Sequence, residues 1–278
     1  MIQSAQGEVF QLETSRHKLH AAKYIAANAK AVVCIIHGFG EHFDRFSYVA
    51  DRFLENNISC YGIDLPGHGK SEGKRGDLRS LNDYLLAVDS IYGFAIEENA
   101  QLPVFLYGHS MGGAIVARYL LVTKVAPKAA IITSPWLELV HNPGALQVIL
   151  GRMSLVIGYN GTQKSKLNPE DLSRDLSVGK AYLADPLVHD SITPRTFFAL
   201  QDNANFLLNT EYSFPCPILL AHGTADNITK VTASQKLAKQ HPENITLKIW
   251  QDLRHETHNE INKNEVTQFY INWILENS

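Results

Sequence analysis

Apolar and polar residues follow three different rhythms along this chain. The opening stretches GEVFQLETS and HKLHAAKYIA are short, loosely alternating and only a few residues apart, which predicts an antiparallel hairpin at a sheet edge. From residue 31 the pattern becomes unbroken apolar runs separated by helical periods: AVVCIIH, a helix near 45–55, ISCYGID, a helix near 80–98, PVFLYGH, a helix over 111–123 and KAAIITS. Short apolar runs alternating with helices predict parallel strands joined by helical crossovers. After Ser134 that rhythm is lost, and it returns with a helix near 194–210, then PILLAHG, a helix near 229–240, ITLKIW and a last helix over about 258–276. The expected architecture is therefore α/β, with a mostly parallel sheet of roughly eight strands flanked by helices. Residues 1–135 and 196–278 would form one core, and 136–195 an inserted cap.

Composition narrows the function more than the fold. With 278 residues and 45% hydrophobic content the chain can bury one sizeable core. A net charge of -3, from 25 basic and 28 acidic residues, provides no field to draw in nucleic acid or an anionic membrane. Cys34, Cys60 and Cys216 are odd in number, and the first two lie in strand-like apolar runs, so no disulfide framework is expected. The N-terminus lacks a basic region followed by an apolar stretch, which leaves a cytoplasmic location as the expectation. The strongest membrane candidate, Ala145 to Tyr159, is too short to span and contains Arg152 and two glycines.

The chemistry concentrates around Gly108-His109-Ser110-Met111-Gly112-Gly113, which follows an apolar strand and precedes a helical pattern. A serine on such a strand-to-helix turn is a nucleophile elbow: the glycines let the two elements approach closely, and the helix N-terminus offers free N–H groups to a developing negative charge. A serine hydroxyl needs a base, and in folds with this elbow the partners follow in the order serine, acid, histidine. Asp226 follows strand PILLAHG and His255 follows strand ITLKIW, so both emerge at the carboxyl edge of the sheet with Ser110. His241, His258 and Asp252 are weaker substitutes, and His222, inside its strand, reads as structural. Met111 N–H is one candidate oxyanion donor, and Phe39, in the glycine-rich turn GFGEH after AVVCIIH, is the other.

Together HGFGEH, DLPGHGKSEGKRG, GHSMGG, DPLV, HGTAD and RHETHNE resemble the monoacylglycerol lipase and lysophospholipase branch of the α/β hydrolases, over nearly the whole chain outside the cap. The resemblance implies an α/β-hydrolase fold, a triad of Ser110, Asp226 and His255, oxyanion donors Phe39 and Met111, and an acyl pocket under the cap. It implies hydrolysis of single-chain lipid esters through an acyl-enzyme, without a cofactor. A general carboxylesterase or a serine peptidase of the same fold is the alternative, and an inactive lipid-binding module a third reading. From Ala145 to Ile157 apolar residues occupy almost every direction around a helix, more than one core-facing stripe requires. Leu146, Ile149, Leu150, Met153 and Ile157 are the candidate substrate-binding residues there. One side of that helix would line an acyl tunnel and the other would meet lipid, in transient contact with a membrane surface, or a partner subunit. GHGKS lacks the earlier glycine of a phosphate loop, and HETH has the wrong spacing for a zinc protease, so neither nucleotide nor metal is expected. Lys70, Lys74, Arg75 and Arg79 read as a solvated loop face.

Overall fold

The computed structural model describes residues 7–165 and 167–278. In chain order its elements are β1 (Glu8–Glu13), β2 (Lys18–Tyr24), β3 (Ala31–Ile36), α1 (Ser47–Glu55), β4 (Ile58–Ile63), α2 (Leu81–Glu98), β5 (Val104–His109), α3 (Met111–Leu120) and β6 (Ala130–Thr133). There follow α4 (Ala145–Val156), β7 (Gln163–Lys164), α5 (Leu176–Ala184), β8 (Ser191–Ile192), α6 (Pro194–Asn209), β9 (Ile218–Gly223), α7 (Val231–Gln240), β10 (Ile245–Trp250) and α8 (Lys263–Glu276).

One eight-stranded sheet runs in the order β1-β2-β4-β3-β5-β6-β9-β10. The β1–β2 and β2–β4 pairs are antiparallel, and the others are parallel. The parallel interior explains the unbroken apolar runs, because β3, β4, β5 and β9 are buried along their whole length. Alternate residues serve opposite layers. Val32, Cys34 and Ile36 join Val88 and Ile91 of α2 and Ile115 of α3 on one face. Val33 and Ile35 join Val49 and Phe53 of α1 and Tyr270 and Ile274 of α8 on the other. From β3 the chain moves first to β4 on one side and then to β5 on the other, so the strand order reverses between β3 and β5. A crevice opens at the carboxyl ends of strands at such a reversal.

Two helix boundaries differ from expectation. The third helix stops at Leu120 rather than 123, and the last begins at Lys263 rather than 258. The stretch before α8 is taken up by tertiary bonds: Glu260 accepts the Arg254 N–H at 2.7 Å and the Arg174 guanidinium at 2.9 Å, which leaves only a short 3-10 turn at Thr257–Asn259.

Between β6 and α6 the chain forms α4, α5 and a small antiparallel ribbon of β7 with β8. Its exit limb is closely tied to the sheet side. Asp185 Oδ2 lies 2.8 Å from His42 Nε2, and the His189 N–H donates to Gly40 O at 2.9 Å. Asp77 accepts hydrogen bonds from Asn160, Thr193 and Arg195. By contrast α4 contains no buried residue. It leans on α6 through Gly151 against the Phe198 ring and through Arg152, which covers that ring and pairs with Asp202.

Candidate active site

Ser110 sits between β5 and α3 with φ 52° and ψ -116°, a left-handed conformation that costs a non-glycine residue of order 1–3 kcal/mol. Its surroundings hold it there: Ser110 N–H donates to Thr133 O at 2.9 Å, and Trp136 N–H donates to Ser110 O at 2.9 Å. Gly112 is required for the close approach, since a Cβ there would lie 2.3 Å from Ile36 O and 2.4 Å from His37 O. Met111 opens α3 and so contributes one of the first-turn N–H groups that no carbonyl within the helix can take.

His255 Nε2 lies 2.9 Å from Ser110 Oγ and His255 Nδ1 lies 2.7 Å from Asp226 Oδ2. Asp226 also accepts the N–H groups of Ile228 and Thr229 through Oδ1, at 2.7 and 2.9 Å, and the Thr229 hydroxyl through Oδ2. All three side chains are buried. Burial raises the Asp226 pKa, but the facing His255 and the hydrogen bonds outweigh it and hold the carboxyl far below its usual range. Burial disfavours the charged imidazole of His255, yet the Asp226 carboxylate prevails and leaves its pKa above the usual value. A carboxylate that fixes Nδ1 as the protonated nitrogen leaves Nε2 free to take the Ser110 proton.

The Gly38–Phe39 turn is held on both sides. His37 Nε2 accepts the Leu65 N–H at 2.9 Å, which makes Nδ1 the donor to Gly38 O at 2.7 Å. In a trans peptide the Phe39 N–H points opposite to Gly38 O, so this bond sets its direction. Burial pushes the His37 pKa down to about 4, so the neutral tautomer persists at physiological pH. On the other side the Gly38 N–H donates to Glu41 Oε1 at 2.6 Å.

A cavity of about 140 Å³ lies over Ser110, comparable to one that holds a benzene-sized group. Its lining includes apolar Phe39, Trp136, Leu139, Leu167, Leu172 and Ile228 and polar Glu41, Asn168, Asp171, Asn227 and Glu256. Leu146, Ile149, Leu150, Met153 and Ile157 are not among its lining. Each of these five is more than half exposed, because the packing of α4 against α6 turns their side chains outward.

The substitutes for the acid and base lie elsewhere. His241 ends α7 stacked on Tyr212, His258 stacks on Phe46, and Asp252 accepts from the Gln251 amide on the surface. His222 plays a larger part than its position inside a strand suggested. Its Nε2 lies 3.0 Å from Asp226 Oδ2, while Nδ1 meets Ser234 Oγ at 2.8 Å, so two imidazoles share one carboxylate. The four-residue spacing in HGTAD was the available signal.

Residues 27–262 match the serine aminopeptidase S33 family. A monoacylglycerol lipase of Mycolicibacterium smegmatis is 31% identical over 256 residues, covering 88% of this chain and 88% of that protein. An uncharacterized abhydrolase domain-containing protein of Dictyostelium discoideum is 33% identical over 249 residues and matches 88% of this chain, which spans only 26% of that protein's length. Among solved structures, the monoacylglycerol lipase of Paleococcus ferrophilus aligns with a TM-score of 0.84 at 29% identity, covering 94% of this chain and 99% of the other.

Proposed function

Because the chain belongs to the serine aminopeptidase S33 family, a family of α/β hydrolases, we propose that it is a serine ester hydrolase whose substrate is a monoacylglycerol. The observation that carries the chemistry is the hydrogen-bonded line from Ser110 through His255 to Asp226, of which Ser110 and His255 line the cavity. Ser110 Oγ attacks the ester carbonyl as His255 Nε2 takes its proton, and the Phe39 and Met111 N–H groups receive the oxyanion. His255 then protonates the departing alcohol, leaving an acyl group on Ser110. Water activated by the same imidazole releases the fatty acid and restores the serine.

The charge of the lining favours a neutral alcohol over a phosphate ester. Among the described lining residues there are three carboxylates, Glu41, Asp171 and Glu256, and no lysine or arginine. Arg45 pairs with both buried glutamates, whereas Asp171 has only the neutral Asn227 amide as a hydrogen-bond partner. A phosphate charge about 8 Å from the Asp171 carboxylate meets roughly 2 kcal/mol of repulsion at an effective dielectric of about 20, which is about thirtyfold in affinity. An octanoyl monoacylglycerol is therefore expected to exceed octanoyl lysophosphatidate in kcat/KM by thirtyfold or more below the micellar limit. Equal values would remove the glyceride preference and leave the esterase intact.

The segment at 136–195 acts in this reading as a cap, with α4 as its contact with lipid. An acyl chain longer than the cavity needs apolar cover beyond it, and α4 with the adjoining Ile157 presents Leu146, Ile149, Leu150, Met153, Val156 and Ile157 outward. Each CH2 withdrawn from water contributes about 0.8 kcal/mol, so a few such side chains in a bilayer interface hold a protein there reversibly. Leu150→Asp combined with Val156→Asp should lower turnover of oleoylglycerol in vesicles at least tenfold, with p-nitrophenyl acetate hydrolysis within twofold of wild type. Parallel losses on both substrates would show instead that the substitutions damage the fold. No helix among the described residues is long and apolar enough to cross a membrane.

A further inference from the structure

Beside the cavity, three charged side chains join two loops that are far apart in sequence. Arg45 Nε donates to Glu41 Oε2 at 3.0 Å, and its Nη2 donates to Glu256 Oε1 and Oε2 at 2.7 and 2.9 Å. Side-chain exposures are 9% for Arg45, 3% for Glu41 and 2% for Glu256. The two oxygens of Glu41 are divided: Oε2 faces Arg45, while Oε1 accepts the Gly38 N–H. Glu256 directly follows His255, and its Oε2 also accepts from Asn259 at 2.7 Å. The Arg45 guanidinium lies 4.9 Å from the Tyr182 ring, so the same group touches α5.

Stability gives no reason for this arrangement. Burying two carboxylates with one guanidinium desolvates three charges and leaves one negative charge over, and apolar residues of similar volume commonly serve a core as well or better. Its members connect the turn that carries Phe39 to the loop that carries His255. We infer that Glu41 and Glu256, joined through Arg45, are positioning residues that keep the Gly38–Phe39 turn and the His255 loop in one fixed register about Ser110. The inference rests on the ester-hydrolase reading. Gly38 is close enough for small shifts to matter, since a Cβ on it would lie 3.2 Å from Ser110 Cβ. A displacement of about 1 Å in such a turn costs on the order of a hundredfold in rate. Burial and the facing Glu256 charge push the Glu41 pKa up. At Glu256 burial acts in the same direction, but the Arg45 charge prevails and keeps it low, so Glu256 is the firmly ionised partner.

Glu41→Ala is the informative variant, because it leaves a balanced Arg45–Glu256 pair, whereas removing Arg45 would leave two buried like charges. Three measurements separate positioning from support of the fold: kcat and KM on p-nitrophenyl acetate, inhibition by an alkyl trifluoromethyl ketone, and binding of the matching unreactive ether. The ketone forms a tetrahedral oxyanion on Ser110, and the ether does not. In Glu41→Ala we expect kcat to fall thirty- to a hundredfold with KM within threefold, ketone affinity to weaken by the same factor, and ether affinity to stay within twofold. Glu41→Gln, whose amide oxygen can accept the Gly38 N–H but whose NH2 cannot accept from Arg45, should fall between wild type and Glu41→Ala in kcat. Glu256→Gln should cost less in the Glu41→Ala background than alone, since the two act as a unit. A Glu41→Ala protein with kcat within threefold of wild type overturns the inference, and so does a joint loss of kcat, ether binding and melting temperature. Wild-type protein that neither turns over the ester nor binds the ketone overturns the hydrolase reading and this inference together.

Discussion

Replacing Ser110 with alanine is expected to lower ester turnover by about five to six orders of magnitude while leaving melting temperature nearly unchanged. The loss is large because attack, proton transfer and acyl-enzyme formation all pass through Oγ, so the remaining residues cannot share the work. Stability should hold, since the hydroxyl is an unneeded polar group in a tight site and alanine keeps the Cβ that the turn already accommodates. The φ of 52° belongs to the wild-type turn too, so alanine adds no new backbone cost. A fluorophosphonate probe should label wild-type protein once, at Ser110, and Ser110→Ala not at all. Labelling of another serine, or esterase activity in the variant above one part in a thousand, would exclude Ser110 as nucleophile.

Asp226→Asn should reduce kcat by about four orders of magnitude and should also shift the pH profile. The base must be neutral to accept the Ser110 proton, so activity is present above the His255 pKa and is lost as pH falls through it. In the wild type that pKa is raised because the Asp226 carboxylate outweighs burial. The acid limb should therefore lie above pH 6.5, the ordinary histidine value. An asparagine removes the charge that opposes burial, so the limb should move to lower pH even as the plateau collapses. It can also turn its amide N–H toward Nδ1 and favour the wrong tautomer. Rates measured from pH 5 to 9 on one activated ester test both effects. An acid limb that stays in place would mean that another carboxylate sets the basicity of His255, with the neighbouring Glu256 the first to examine.

How much of this could be read from sequence depended on whether the determining contacts were local. The strands β3, β4, β5 and β9 are apolar throughout because both faces are covered, and that property is visible in six residues. The glycines around Ser110 announce a turn whose crowding the structure displays, and the order of Asp226 and His255 follows from the order of the strands that carry them. The stretch from 136 to 195 gave a helix at Ala145–Val156 and little else. Its ribbon strands are two residues each, and its shape is set by contacts such as Asp185 with His42, which no local periodicity reports. An apolar surround on α4 was legible, yet its direction was not. The contacts of Gly151 and Arg152 with Phe198, and of Arg152 with Asp202, set which side faces inward. The bond from Arg45 to Glu256 spans 211 residues, and charged side chains at those positions look solvated in a linear reading.

The unequal fastening of the segment between β6 and α6 has a consequence for how such a protein can change. Its exit limb shares hydrogen bonds with Gly40, in the turn beside Ser110, and with Asp77, so alterations between 185 and 195 fall on contacts adjoining the site. The helix α4 is tied mainly to α6, through the Phe198 ring and the Arg152–Asp202 pair. Mutations there can accumulate, or a helix from another chain can be grafted in, without disturbing the hydrolytic apparatus beneath. The outward face of α4 and the Ser110 site thus lie on pieces of the chain that sequence change can alter separately.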